Sequence, residues 1–276
     1  GSGGQSDGGK PSAGSANGGG AGASTTGCTR ELLKSSIDAY FTALAAHDAT
    51  TLSTTSDVKF TENGKVMMLG QDGLWKTAGA LKHAHSLLDT QICGTASEAV
   101  VPDGTMDIPF ALRLGLKDGK IAEVETIAVR PGDYKVSGSD FASDPAKIIS
   151  SAATIGWETV LPADQQPTRD ELVAWMDKYF KFFPAGVCNT DSSCKRIENG
   201  GGNFDCSAGA SCSTGSPPAK PQAVSHIILG DPETGMGAGF DVFTGADVDM
   251  HLFKMKGGKV YAVDAILGAG TKSGWE

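Results

Sequence analysis

The feature that most constrains this chain is that it repeats itself. Thr29-Arg30-Glu31-Leu32-Leu33, running on to Asp38-Ala39-Tyr40-Phe41, returns as Thr168-Arg169-Asp170-Glu171-Leu172, running on to Asp177-Lys178-Tyr179-Phe180, a displacement of 139 residues (29 to 168). Glu62-Asn63-Gly64 returns as Glu198-Asn199-Gly200, displaced by 136 (62 to 198), and Lys117 to Ile121 returns as Lys256 to Val260, displaced again by 139 (117 to 256). Three matches in one order at nearly constant spacing imply two copies of one domain. The expected division is a tether over 1–27, a first domain over 28–135, a connector over 136–166 and a second domain over 167–276.

Each copy opens on an amphipathic helix. Leu33, Ile37, Tyr40, Phe41 and Leu44 recur at helical spacing, as do Leu172, Met176, Tyr179, Phe180 and Phe183. Thr168 and Glu171 have capping-box spacing, and Pro184 is expected to close the second helix. Strands follow. Val58 to Phe60, the Asn63-Gly64 turn and Val66 to Leu69 read as a pair, and Phe110 to Leu116, Asp118-Gly119 and Ile121 to Val129 as a long hairpin. The second copy repeats that hairpin as Met250 to Met255, Gly257-Gly258 and Val260 to Ile266. A leading helix on a curved antiparallel sheet, twice over, is an α+β pattern.

Residues 1–27 hold 11 of the 38 glycines and no Leu, Ile, Val, Met or aromatic residue, so that segment is expected to be a flexible coil. It resembles the tether that follows the lipidated cysteine of bacterial lipoproteins. The start at Gly1 without Met reads as a processed or engineered product whose targeting signal has been removed, with a lipid anchor expected upstream. A formal charge of −9 argues against nucleic acid as a partner, and no apolar run is long enough for a transmembrane helix. Six cysteines, Cys28, Cys93, Cys188, Cys194, Cys206 and Cys212, suit disulfides outside the cytoplasm. With no C-x-x-C pair and no histidine between Cys188 and Cys212, no zinc site is expected, nor any other metal or cofactor. Cys28 and Cys93 are each the only partner available within the first copy, whereas the last four allow three connectivities.

Candidate chemistry gathers in a few places. Lys82 to Thr90 holds His83, His85 and Asp89. On a strand the two histidines share a face; on a helix Asp89 stands one turn from His85 and can orient its ring for acid/base work. The plainer reading makes both histidines surface or cap residues. Glu62 and Glu198 precede the two Asn-Gly turns, and Arg196 precedes Glu198 by two, on one face of a strand, which suits an ion pair or a ligand-binding carboxylate. Nucleophile-elbow, zinc-protease, phosphate-loop and dinucleotide motifs are absent.

His47-Asp48-Ala49-Thr50-Thr51-Leu52 leading into Asp57-Val58-Lys59-Phe60 is similar to the helix-to-strand passage of the nuclear transport factor two-like superfamily, which includes ketosteroid isomerases and SnoaL-like polyketide cyclases. The order Cys28, Glu62-Asn63, His83-x-x-Ser86-x-x-Asp89, Cys93, Gly132-Asp133 and Arg196-x-Glu198-x-Gly200 resembles a two-copy domain-of-unknown-function family of secreted fungal and bacterial proteins, in which an arginine commonly stands where this chain has His85. The resemblance implies tandem cone-shaped domains, an extracytoplasmic setting, and cone-lining roles for Tyr40 and Tyr179 as hydroxyl donors and for Glu125 as a carboxylate base; core packing and outward solvation are the plainer alternatives. It also implies the pairs Cys194–Cys212 and Cys188–Cys206. The functional expectation is an exported protein enclosing a small organic ligand, with acid/base lyase or isomerase chemistry. His83, Asp89, Glu62 and Tyr40 would serve as catalytic groups, and His85, Glu125, Arg196, Glu198 and Tyr179 would bind the ligand. The other reading is a non-catalytic surface lipoprotein or ligand-binding module whose second copy is a structural partner. Two copies in one chain suit a pseudo-symmetric monomer, and a homodimer is the alternative.

Overall fold

A computed structural model describes Gly1 and residues 27–136, 139–140, 142–182, 190–206, 223–243 and 247–276. The tether, Phe183, Pro184, Cys188, Cys212 and most of the cysteine-bounded loop lie outside these residues. In the first half α1 (Arg30–Ala46) precedes β1 (Thr54–Glu62), β2 (Lys65–Met67), β3 (His83–Asp89), β4 (Gly94–Asp103), β5 (Met106–Lys117) and β6 (Lys120–Ala128). These strands form one sheet in the order β2-β1-β6-β5-β4-β3. A short hairpin, β7 (Lys135–Val136) and β8 (Ser139–Asp140), and α2 (Pro145–Ile155) lead to α3 (Arg169–Phe182). Then follow β9 (Thr190–Glu198), β10 (Gly202–Asp205), β11 (Ile227–Asp231), β12 (Met236–Phe243), β13 (Asp247–Lys256) and β14 (Lys259–Ala269), in the order β10-β9-β14-β13-β12-β11. The two sheets have the same topology strand for strand, including one parallel pairing in each, β1 with β6 and β9 with β14. The fold is α+β, two sheets each carrying its own helix.

The local reasons are those the residue pattern supplies. In α1, Leu33, Ile37, Tyr40, Phe41 and Leu44 are all buried against the first sheet. α3 begins with a capping box in which the Thr168 amide donates to Glu171 (2.7 Å) and the Glu171 amide donates to the Thr168 hydroxyl (3.2 Å). Both Asn-Gly turns are left-handed, with φ of 49° and 73° in each copy. Each asparagine side chain then brackets a neighbouring strand: Asn63 donates to the Ala128 carbonyl and accepts from its amide, and Asn199 does the same at Leu267. A Cβ on Gly64 would lie 1.7 Å from the Lys272 carbonyl oxygen, and one on Gly200 2.0 Å from that of Asp144, so crossing chain requires glycine at both turns.

The sheets pack back to back. Leu87, Ala111 and Ile127 of the first meet Leu229, Met250, Leu252 and Ile266 of the second, with Ile148 and Trp157 at one side. Reciprocal charge contacts lock this packing. Arg30, which opens α1, donates to both carboxylate oxygens of Asp231 at the end of β11 (2.7 and 2.9 Å), and Arg169, which opens α3, donates to Asp89 at the end of β3 (2.8 Å). Each half thus supplies the arginine for the other half's aspartate, the self-complementary pattern of a two-fold interface inside one chain.

Cys28 is bonded to Cys93. Cys194 is bonded to Cys206, which corrects the expected Cys194–Cys212 and Cys188–Cys206 pairs. The reason is local: β9 and β10 are hairpin neighbours with Lys195 opposite Asp205, so Cys194 and Cys206 are the next facing pair, 5.0 Å apart at Cα. Two disulfides belong to an oxidising compartment. No helix among the described residues is long and apolar enough to cross a membrane.

Candidate functional site

The residues singled out in the first copy do not converge. His83–Asp89 is a strand, so the helical arrangement of His85 over Asp89 does not form. Asp89 is committed elsewhere, accepting from Arg169 and from the buried Gly230 amide (2.9 Å). His83 and His85 share the face turned away from α1. There His83 Nε2 lies 3.3 Å from His85 Nδ1, and the His85 ring stacks on Trp157, beside an open groove of about 510 Å³ against α2. Burial pulls His85 down to about 3, so the ring is neutral. Its Nε2 lies 3.0 Å from Glu98, which burial pushes up to about 7 against the opposing pull of Asp264 of the second sheet.

Tyr40 and Glu62 do lie inside the first cone, but that cone is filled. The turn Gly73–Lys76 drives Leu74 and Trp75 into it, Trp75 packing edge-on to Tyr40 at 5.4 Å between ring centroids. Glu62 is consumed by that plug. It accepts from the Leu74 amide (2.7 Å) and from Arg130 (3.2 Å). Glu125 is not in the cone. Alternation on β6 turns it to the second sheet, where it accepts from Arg113 (2.7 Å) and meets His226 (3.0 Å).

The second cone is different in kind. Tyr179 of α3, Arg196 and Glu198 of β9 come together inside it: Arg196 donates to the Tyr179 hydroxyl oxygen (3.3 Å) and lies 3.3 Å from Glu198. Tyr134, from the segment that follows the first sheet, donates its hydroxyl to Glu198 (3.0 Å). Beside them His251 Nδ1 lies 2.6 Å from Asp249 Oδ2, and the His251 ring packs against Tyr179 and Phe180. Asp241 faces Asp249 across the β12–β13 ladder. Burial, with Arg196 reinforcing it, pulls His251 down to about 3, while burial and the nearby carboxylates hold Asp249 and Asp241 well above the usual carboxylate range. Burial pushes Tyr179 up to about 12 against the opposing pull of Arg196.

Asp241, Asp249, His251 and Tyr134 do not stand out in the sequence alone, yet the signal is there once the two halves are placed in register. Ala99 faces Phe110 where Asp241 faces Asp249, and Leu112 stands where His251 stands. Phe60 faces Val124 where Arg196 faces Val263. At four matched positions the first cone holds Phe60, Ala99, Phe110 and Leu112, and the second holds Arg196, Asp241, Asp249 and His251. No group of three or more His, Cys, Asp or Glu among the described residues has an arrangement that would hold a metal ion.

Residues 165–267 match the family described as Domain of unknown function (DUF8021). No curated protein matches the chain. Among solved structures, a putative polyketide cyclase from Silicibacter sp. TM1040 is similar at 17% identity, covering 36% of this chain and 89% of that one, with a TM-score of 0.30. An NTF-2 like protein of unknown function from Burkholderia xenovorans LB400 is similar at 14% identity over 39% and 89% of the two chains, with a TM-score of 0.29. An LEH-like epoxide hydrolase from M. tuberculosis is similar at 15% identity over 36% and 83%, with a TM-score of 0.27.

Proposed function

We propose that the second cone encloses a small organic ligand and moves a proton on it, in isomerase or lyase chemistry. The observation that supports this most is the contrast at matched positions: the same scaffold that buries Phe110 and Leu112 in one copy buries the Asp249–His251 pair in the other. Burying a polar group costs roughly 2–7 kcal/mol where no hydrogen bond compensates it, and here Asp249 Oδ1 and both Asp241 oxygens have no partner. A core does not need them there.

The pair works as one unit. With Nδ1 directed at Asp249, Nε2 is the ring atom left for a ligand. When Nε2 takes a proton, the Nδ1 proton can pass to Asp249, so the base strength delivered at Nε2 is that of the pair, set by the raised carboxyl and not by an isolated imidazole. A proton leaving a carbon beside a carbonyl would go to Nε2, and its electron pair to the carbonyl oxygen. Arg196 and the Tyr179 hydroxyl can donate to that oxygen. Return of the proton to a different carbon completes an isomerisation; loss of a leaving group from the adjacent carbon completes an elimination. Glu198 and Tyr134 position Arg196.

Export, a lipid anchor and a small-molecule partner are part of this proposal, supported by the two disulfides for the first of them. The test is native mass spectrometry of the protein from its source, followed by incubation of the complex in deuterated water. A retained ligand that gains deuterium with the wild type and not with His251→Gln is the expected result. Absence of any ligand, or equal exchange in the variant, refutes the proposal; retention without exchange leaves a binding module.

A further inference from the structure

The ligand's charge can be argued from oxygens that have no donor, an inference that rests on the second cone being a ligand site. Asp241 is 2% exposed, and neither of its carboxylate oxygens has a hydrogen-bond partner; Asp249 Oδ1 is likewise buried and unpartnered. Buried acceptors are almost always satisfied. Glu98 and Asp264 are also unpartnered but lie between the two sheets, whereas Asp241 and Asp249 lie on the α3 side of the second sheet, beside the proposed ligand site.

Their direction is fixed by the sheet. Phe240 and Val242, the neighbours of Asp241 on β12, belong to the core between the sheets. Asp241 therefore points the other way, as does Gly239, whose missing side chain would meet Phe180 and Met176 of α3. Across the ladder Asp249 points into the same space, since facing residues share a side and lie about 5 Å apart at Cβ. Around this space stand aromatic rings, Tyr179 and Phe180 at 5.1 and 5.2 Å from His251 and Phe243 at 6.0 Å.

The positive charge already present is engaged, since Arg196 lies against Glu198 and Tyr179. Three acceptor oxygens beside a histidine ring that is itself packed among aromatic side chains suit a protonated nitrogen, whose several N–H groups supply the missing donors and whose charge is favoured by the carboxylates. An anionic group placed there would meet two carboxylates. We propose that the second cone takes a small ligand bearing a basic nitrogen, held as its cation between Asp241 and Asp249. In that arrangement Asp241 is a specificity-determining residue, and Asp249 serves both the cation and His251. The raised proton affinity of Asp241 agrees with a carboxyl that is neutral until a cation reaches it.

The experiment compares three probes with one ring and three charges, benzylamine, benzyl alcohol and benzoate, by calorimetry on the full chain at pH 7, with the His251 ring resonances followed by NMR. Benzylamine is expected to bind and to shift those resonances, the other two at least tenfold more weakly. Asp241→Asn and Asp241→Ala should each weaken benzylamine by about ten- to a hundredfold, the usual cost of losing a charge-assisted contact. The alanine variant installs what the first copy already has, Ala99, at the matched position, and its melting curve reports folding. If benzyl alcohol or benzoate binds as well as the amine, or both variants keep the amine affinity, the cation is wrong while the site stands. If no probe moves the His251 resonances, both the cation and the enclosed site are wrong.

Discussion

Removing Asp89 should unfasten the two halves from each other. The Asp89 side chain is fully buried and accepts from the Arg169 guanidinium at 2.8 Å and the buried Gly230 amide at 2.9 Å, and also from the Gln91 amide at 3.1 Å. Asp89→Ala leaves the Gly230 amide without a partner, worth about 1–3 kcal/mol. Arg169 keeps 16% side-chain exposure and can turn to water, so losing its pair costs about 1 kcal/mol and not the 3–5 of a sealed ion pair. The sum is about 3 kcal/mol. The assay is urea unfolding of Asp89→Ala, Arg169→Ala and the double variant, followed by far-ultraviolet dichroism. The double variant should be less destabilised than the two singles added together, by about 1 kcal/mol. Because Asp89 and Arg169 come from different halves, both halves should lose stability together. Strict additivity, or a loss confined to one of two separate transitions, would refute the clasp.

Opening the Cys28–Cys93 bridge by serine substitution should cost about 4 kcal/mol for a separation of 65 residues, against about 3 for Cys194–Cys206 at 12, on the chain-entropy scale, measured as a difference in urea midpoint. Trp75→Ala empties the plug of the first cone and should cost about 3–5 kcal/mol in thermal unfolding; a loss under 1 would mean the cone is not packed as described. The Glu98–Asp264 contact carries a pH signature. Both carboxyls have raised folded pKa values, so the native state holds more protons than the unfolded one, and their contribution to stability falls as pH rises from about 4.5 towards 7. Glu98→Gln should therefore melt close to the wild type at pH 5 and above it at pH 8; a lower melting temperature at both would contradict the raised proton affinity of these carboxyls.

What could be read from residues alone was what repetition and turn chemistry encode. The two hairpins, the capping box at Thr168 and the buried stripe of α1 follow from local pattern, and the structure places them where that pattern does. The site was less legible for two reasons. A run such as His83 to Asp89 supports both a helical and an extended pairing, and only the neighbouring strand decides, by setting His83 against Val100 and Asp89 against Gly94. The polar residues of β13 were masked by its apolar company. Met250, Leu252, Phe253 and Met255 read as a plain buried strand, and Asp249 and His251 stand out only when the first copy's Phe110 and Leu112 are set beside them. Cys194–Cys206 follows from the β9–β10 hairpin, which brings those two cysteines face to face and which cysteine spacing alone does not show.

The second cone is not self-sufficient, and this bears on why the two halves stay in one chain. Tyr134, which donates to Glu198, follows the first sheet and lies upstream of residues 165–267. Arg169, the first residue of the helix that carries Tyr179, is held by Asp89 of the first half. The C-terminal tail repays the contact: Trp275 donates its indole N–H to Thr61 (2.9 Å) and lies over Arg113, whose guanidinium holds Glu125. The first cone, in contrast, is filled. Leu74 and Trp75 make it a solid core, and its outer sheet face then serves as the platform on which the second sheet is fixed. Buried polar groups in the second cone weaken that half, as unsatisfied carboxylates must. That cost is set against the apolar packing between the sheets and the paired arginine contacts, Arg30–Asp231 and Arg169–Asp89.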